Sequence, residues 1–400
     1  MVSLPRKARI PGRIRVIGMG AVIALSVSAC AQQGQSQPTP TRSVDSSITL
    51  AAIEPNDGPG PVIDFINGAN KSVDVAMYEF YPTYKPVVDA LLRAKKRGVA
   101  VRILLSRQIF GEPANNHNLK DRQTLLKLGL DTQLSRPEFS YSHEKTFIRD
   151  AGTAAARAMV ADFNIKVDYF AYVPDPDEPF PGEMGTRGMA ALVTDAADVA
   201  NIAATFNADW PPYKAWPAST RPNLVWAPGD PNYQPTGNAI AAIKSVITGA
   251  QKTLDVYAQA LAYPSIMFQP LLDRAKAGVK VRIIGNVGGI NDQAAAQLRE
   301  AGAQIVAGPR LEQDSSKFLY VHTKTIVADA GTANQVAFLG SENPFLDQSI
   351  QSERELGVLL TDPTSISKVM DVFNGDFDRA TQYPTHTPSP SASPSSTPGN

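Results

Sequence analysis

The chain repeats itself. Lys71-Ser72-Val73-Asp74-Val75 returns as Lys252-Thr253-Leu254-Asp255-Val256, and Gly98-Val99-Ala100-Val101-Arg102-Ile103 returns as Gly278-Val279-Lys280-Val281-Arg282-Ile283. Tyr141-Ser142-His143-Glu144-Lys145-Thr146 returns as Tyr320-Val321-His322-Thr323-Lys324-Thr325. Three matches at a nearly constant spacing of about 180 residues mark the duplication of a domain-sized unit, not a solenoid of small repeats. Whatever this sequence folds into must be buildable twice.

Each copy has the same coarse pattern. A β-branched run (Ser72 to Met77; Thr253 to Tyr257) predicts a strand, and a helical stretch follows (Val87, Val88, Leu91, Leu92 and Ala94; Leu271, Leu272 and Ala275). Both helices are expected to stop near a glycine, Gly98 or Gly278. A second strand (Val99 to Leu105; Val279 to Ile284) and a second helix (about Leu119 to Leu128; about Asp292 to Glu300) come next. Strand–helix–strand–helix order predicts an α/β layered domain. The expected architecture is two similar α/β/α domains about a pseudo-two-fold axis, with one active site at their interface.

The two ends are different in kind. Arg6, Lys7, Arg9, Arg13 and Arg15 precede an apolar run from Val16 to Val27, then Ser28-Ala29-Cys30. This is the layout of a secretory signal, with an apolar region too short to span a bilayer. Cys30 is the only cysteine, which excludes an intramolecular disulfide and a cysteine-based metal site. Val27-Ser28-Ala29-Cys30 resembles a bacterial lipobox, which implies an exported lipoprotein anchored through Cys30 to the outer face of the cell membrane. An incidental cysteine after a cleavage site and an uncleaved anchor are the alternatives. The expected organisation is a signal peptide over 1–29, a flexible tether over 30–47, and a first half over 48–208. A connection over 209–235, a second half over 236–383 and a Pro/Ser/Thr-rich disordered tail over 384–400 complete it.

The chemistry lies in His143-Glu144-Lys145-Thr146-Phe147-Ile148-Arg149-Asp150 and His322-Thr323-Lys324-Thr325-Ile326-Val327-Ala328-Asp329. These two motifs use two of the chain's four histidines; His117 and His386 read as a loop residue and a tail residue. One His-x-Lys is most often a surface pair, whereas two at matched places in a duplication are a strong signal. Placed on a strand, His and Lys two apart project from one face, as a shared anion site requires. A phosphodiester needs fixed positive donors on its non-bridging oxygens, which Lys145 and Lys324 can supply. It also needs a nucleophile and an acid for the leaving alkoxide, and two imidazoles serve both parts. The result is a two-step covalent mechanism with no cofactor and no obligatory metal.

The pattern resembles the phospholipase D superfamily, whose signature is His-x-Lys-x4-Asp followed by Gly-Ser-x-Asn. The second half continues as Gly340-Ser341-Glu342-Asn343 and then Glu353-Arg354-Glu355-Leu356. The resemblance implies His143 as nucleophile and His322 as acid and then base. It implies Lys145, Lys324, Asn164, Asn343 and Ser341 as phosphate-binding residues, and Glu355 as the carboxylate that orients His322. Asp150 and Asp329 are supporting residues, with a structural and a catalytic part both open.

The first half departs from the pattern. Asn164 stands as far beyond Asp150 as Asn343 stands beyond Asp329, but Ala161-Asp162 replaces Gly-Ser. Gly188 occupies the position that matches Glu355 when Thr194-Asp195 is aligned with Thr361-Asp362. An acidic insertion, Asp168 to Gly185, carries Asp175, Asp177, Glu178 and Glu183. It can replace the missing orienter, cover the cleft, or be a solvated loop. Trp210, Trp216 and Trp226 fall in the connection and are expected to pack it onto the body.

Lys+Arg and Asp+Glu balance at 38 each, for a formal net charge of zero. That gives no sign of the basic face a nuclease needs. The leading expectation is therefore hydrolysis of a phospholipid head-group phosphodiester by a monomer tethered to a membrane. Nuclease activity and phosphatidyl transfer are alternatives within the superfamily. A catalytically impaired phosphate-binding lipoprotein is the alternative of another class.

Overall fold

The computed structural model describes residues 43–112, 116–177, 180–218, 221–233 and 236–384. Cys30, Glu178 and His386, with the expected signal and most of the tether and tail, lie outside the described residues.

The duplication is visible in the order of elements. The first half runs β1 (Ile48–Glu54), α1 (Gly60–Asn67), β2 (Ser72–Met77), α2 (Lys85–Lys96), β3 (Ala100–Leu105), α3 (His117–Lys127) and β4 (Asp131–Leu134). It closes with β5 (Lys145–Arg149), β6 (Arg157–Ala161), α4 (Val167–Phe170), β7 (Glu183–Val193) and α5 (Ala196–Asp209). The second half runs β8 (Leu224–Ala227), α6 (Ala239–Gly249), β9 (Thr253–Ala258), α7 (Phe268–Lys276), β10 (Lys280–Gly285), α8 (Asp292–Glu300) and β11 (Gln304–Ala307). It continues with β12 (Phe318–Val321), β13 (Ile326–Ala328), β14 (Val336–Gly340), α9 (Asp347–Ser352), β15 (Glu355–Leu360), α10 (Pro363–Arg379) and β16 (Thr381–Gln382).

The sheets follow one plan. The first is ordered β1-β7-β6-β5-β2-β3-β4, and the second contains β8-β15-β14-β13-β9-β10-β11, with β16 added at the β11 edge. In both, two parallel pairings sit at one side (β2 with β3, β3 with β4; β9 with β10, β10 with β11) and antiparallel ladders complete the rest. The expected mixed α/β fold in two like halves is what the chain adopts. The stretch expected as a connection does more than connect. It contains β8, whose Ala227 is paired with Glu355 of β15.

Period-two alternation explains the layers. Val73, Val75 and Met77 of β2 face one core with α1 and α2, while Ala76 faces another. Leu254, Val256 and Ala258 of β9 repeat this with α6 and α7, and Tyr257 turns the opposite way. The core on that opposite side draws on both halves and includes Val199 and Phe206 of α5 with Val369 and Phe373 of α10. The halves therefore share apolar burial, the main favourable term in holding them together. At the C-terminal ends of α2 and α7, Gly98 and Gly278 adopt φ of +90° and +85°, a conformation that a Cβ makes costly.

Two short contacts stitch the sheets. β12 pairs in parallel with β7, setting Val321 opposite Arg187. Its counterpart is a single parallel bridge between Ser142 and Arg354. These are equivalent positions in the two copies, and each links the residue before a motif histidine to the other half.

Candidate active site

Both motifs begin just ahead of a strand. Lys145 is the first residue of β5, and Lys324 stands two residues before β13, so the histidines lie in the approach to the strand, not on it. At the far end, Asp150 and Asp329 take φ of +54° and +53°. Asp150 accepts backbone N–H bonds from Asn70, Lys71 and Ser72, and Asp329 accepts them from Gln251, Lys252 and Thr253. Those bonds hold the Asp150 carboxyl below its ordinary pKa, although its partial burial acts the other way. Their carboxylates anchor strands, which is the structural part of the two left open for them.

The opposite half fixes the motif backbone. The carbonyl of Arg354 accepts the N–H groups of His143 (2.8 Å) and Glu144 (2.9 Å), and that of Arg187 accepts those of His322 (3.1 Å) and Thr323 (2.9 Å). The two arginines are themselves tied across the axis. Arg187 meets Asp376 of α10 at 2.8 and 3.0 Å, and Arg354 meets Asp209 of α5 at 2.8 Å. Trp216, Trp226 and Phe139 pack over the Arg354 guanidinium and Trp210 stacks on Phe206, so all three tryptophans dock the connection against the body. Four bonds from two halves thus set where the histidines stand.

His143 has a carboxylate partner. Its Nδ1 lies 2.9 Å from Oε2 of Glu355, which accepts from Ser349 at 2.5 Å through its other oxygen. The expectation that Glu355 orients His322 is corrected here: it serves the histidine of the other half. Burial, with Lys145 and Lys324 behind it, holds the His143 pKa well below its ordinary value. Burial raises Glu355 to about 7, against the pull of Lys145. With Glu355 ionised, the imidazole donates from Nδ1 and keeps its Nε2 lone pair free. Lys145 donates to the His143 carbonyl at 2.5 Å and sits over the Tyr78 ring, and burial lowers it to about 8.

His322 is held differently. Lys324 Nζ stands 2.9 Å from its Nδ1 and 3.1 Å from its Nε2. Burial, then Lys324, Lys145 and His143, push its pKa well below the ordinary value. Gly188 offers no carboxylate. Asp162 is fully buried nearby, and burial raises it to about 6 against the opposing charge of Lys324.

Of the remaining expected residues, Asn164 donates to Glu79 at 2.6 Å and Asn343 is buried beside α9. The Ser341 hydroxyl is engaged with the Leu356 backbone N–H (3.1 Å) and carbonyl (3.3 Å). It therefore fastens β15. His117 opens helix α3 instead of lying in a loop, between Glu79 and Glu112 and stacked on Tyr81. In the acidic insertion, Asp175 and Asp177 pair with Lys166 at 2.5 and 2.9 Å, and buried Asp168 accepts from Thr186. Its ends are folded into α4 and β7, and the described residues between them are half-buried or exposed.

Several site residues gave no motif signal. Tyr78 meets the His143 ring at 4.5 Å and Tyr169 meets that of His322 at 5.2 Å, both edge-on. Glu144 and Glu353 are buried, with pKa values raised by burial to about 8 and about 9. Sequence position alone could have pointed to Tyr78, at the end of a motif-bearing sheet's central strand. His143, Glu353 and Glu355 bring donor atoms within 4.8 Å of one another. We read them as a hydrogen-bonded orienting group, because His143 Nδ1 meets Glu355 and Glu355 in turn bonds to Glu353. The ensemble offers an oriented neutral imidazole, a second imidazole beside a lysine, and two lysine amines from two halves, both held below their ordinary pKa by burial. That is a set able to bind an anion, attack it and protonate what leaves.

The sequence matches the family described as "Cardiolipin synthase, PLD-like domain" over residues 62–173 and 243–377, more than half of the chain. Among solved structures, the phosphatidylserine synthase of Haemophilus influenzae Rd KW20 is similar with a TM-score of 0.60 at 13% identity. The match covers 86% of this chain and 89% of that one. The polyphosphate kinase of Porphyromonas gingivalis is similar with a TM-score of 0.58 at 15% identity, over 85% of this chain but only 52% of the kinase. The chain thus spans about half the length of that kinase. At these identities the likeness is one of fold. No curated protein matches the chain.

Proposed function

Because the chain belongs to the PLD-like domain family of cardiolipin synthase type, in the phospholipase D superfamily, we propose that it cleaves a phospholipid head-group phosphodiester through a phosphohistidine. The observation that carries this reading is the 2.9 Å contact between His143 Nδ1 and Glu355 across the two halves, which leaves Nε2 as a lone-pair nucleophile. Lys145 and Lys324 take the non-bridging oxygens of the substrate. Once that anion is bound between them, it offsets their charge and lets His322 hold a proton.

In the first step, Nε2 of His143 bonds to phosphorus and the bond to the head-group oxygen breaks. The alkoxide takes the His322 proton. In the second, His322 removes a proton from water, the water oxygen bonds to phosphorus, and the P–N bond breaks. Phosphatidic acid leaves and His143 is neutral again. An alcohol in place of that water makes the same site a phosphatidyltransferase, a reading the family match favours equally.

In the same proposal a lipidated Cys30 holds the site at a membrane surface. No helix among the described residues is long and apolar enough to cross one. Loss of labelled palmitate incorporation in Cys30→Ala is the expected result.

The test is turnover of phosphatidylcholine, phosphatidylglycerol and a DNA oligonucleotide by the purified full chain in detergent, with EDTA, with and without added glycerol. Head-group release that survives chelation and disappears in His143→Ala and His322→Ala supports the reading. Glycerol adducts identify the transferase. Oligonucleotide cleavage alone, or tight phosphodiester binding with no turnover, replaces this reading with the nuclease or the binding protein.

A further inference from the structure

The two half-sites are not copies, and their differences match in pairs. In the second half, Ser341 Oγ accepts the N–H of Leu356, and the preceding residue, Glu355, sends its carboxylate to His143. In the first half the equivalent N–H, that of Met189, is accepted at 2.8 Å by Oδ1 of Asp162, and the preceding residue is Gly188. A Cβ on Gly188 would lie 3.0 Å from that same Oδ1 and 3.0 Å from Cβ of Phe163. The place where a glutamate would start is therefore taken by the Asp162 carboxylate. Its Oδ2 is buried, with Thr323, the residue after His322, beside the carboxylate.

We propose that Asp162 is the positioning residue of the His322 half-site, carrying in one side chain the two parts that Ser341 and Glu355 divide in the other. One oxygen fastens β7, as Ser341 fastens β15. The other supplies negative charge that acts on Lys324, whose amine stands 2.9 Å from Nδ1 of His322. The inference deepens the function proposed above, whose acid and base is His322.

The charges around the imidazole make an anion there consequential. Lys324, Lys145 and His143 all oppose its protonation, and Tyr169 closes its edge. Glu355 and Glu353 act on Lys324 as well, but Asp162 leads the acids opposing its neutralisation. An anion that holds Lys324 in place and offsets its charge favours an imidazolium beside it. The exchange is also sterically coupled. A glutamate at 188 and an aspartate at 162 compete for one space, so one change without the other leaves either two carboxylates or none.

The experiment reads His322 directly and then its chemistry. The full chain labelled with 15N-histidine in detergent gives imidazole nitrogen shifts for few residues, with His322 assigned from His322→Gln. In Asp162→Asn and Asp162→Ser, which both keep an acceptor for the Met189 N–H, the His322 shifts are expected to move while the thermal transition stays. In Asp162→Ser/Gly188→Glu they return toward the parent. Unchanged His322 shifts in both single variants overturn the proposal whether or not the chain turns over any substrate. On dihexanoyl phosphatidylcholine, Asp162→Asn is expected to lose about 100-fold in the alkoxide-releasing step, the share general-acid catalysis typically contributes. On the corresponding p-nitrophenyl ester, the first burst of nitrophenolate needs no proton and is expected to fall far less. An equal loss on both esters also overturns it, since that is what general structural damage produces. Turnover of neither ester by the parent counts against the proposed function, and the shifts still decide the part played by Asp162.

Discussion

Nδ1 of His143 lies 2.9 Å from Oε2 of Glu355, a residue 212 positions later in the chain. The pair spans the two halves and is buried on both sides, so its geometry depends on their docking and not on local sequence. An orienting carboxylate of this kind fixes a tautomer and stabilises positive charge on the ring as reaction proceeds.

Replacing Glu355 by Gln keeps the shape and removes the charge. Head-group release is expected to fall by roughly 10²- to 10⁴-fold in kcat with little change in KM, as for orienting carboxylates elsewhere. Steady-state kinetics on a phospholipid checks it; a KM effect alone would make Glu355 a binding residue.

The pH dependence of kcat/KM is expected to be a narrow bell. Glu355 must lose its proton, so activity rises through about 7. Lys145 must keep its proton, so activity falls through about 8. The two groups interact, and the limbs belong to the pair. Glu355→Gln is expected to flatten the rising limb and to move the falling one to lower pH, because the Glu355 charge raises Lys145.

Glu54 makes a separate prediction about stability. It is fully buried, neither carboxylate oxygen has a hydrogen-bond partner among the described residues, and burial raises it to about 9 from 4.5. Between those values the folded chain holds a proton that the unfolded chain releases. Stability therefore falls as pH rises through this window, by up to about 1.4 kcal/mol per unit from this group. Glu54→Gln is expected to match the parent near pH 5 and exceed it progressively toward pH 8.5 in urea melts.

Asp376→Asn leaves the Arg187 guanidinium buried and uncompensated. The expected cost is about 3–5 kcal/mol. Activity is expected to fall with it, because the Arg187 carbonyl holds the backbone of His322 and Thr323. Chemical denaturation and turnover of the same samples check both.

Asp150→Ala is expected to destabilise by about 1–3 kcal/mol through its lost backbone bonds, and Asp150→Asn by less, since Asn tolerates positive φ. Activity per folded molecule is expected to stay close to the parent in both. A loss of turnover without a loss of stability would return Asp150 to the reacting groups.

The duplication, the strand–helix alternation and the motif pairs were legible because they are local or repeat within the chain. The strands β2, β3, β9 and β10 read as short apolar runs, β3 and β10 just after the helix-closing Gly98 and Gly278, and the structure has them there. β8 was not legible: four residues, Leu224 to Ala227, in a Trp/Pro-rich stretch carry no periodicity, and their pairing with β15 is long-range. The partner of Glu355 was misread for a related reason. His322 is nearer in sequence and shares its half, but the crossing of Arg354 and Arg187 between halves delivers Glu355 to His143. Asp162 showed as a departure from the motif, whereas its relation to Gly188 needed the ladder between β6 and β7 to become visible.

The exchanged backbone bonds of Arg187 and Arg354 have a consequence for ancestry. A solitary half would present its histidine with no carbonyl to hold it, and could be complete only face to face with a twin. Joining both into one polypeptide removes the requirement that they be twins. Each side of the site can then drift alone, and the different settings of His143 and His322 are what such release permits.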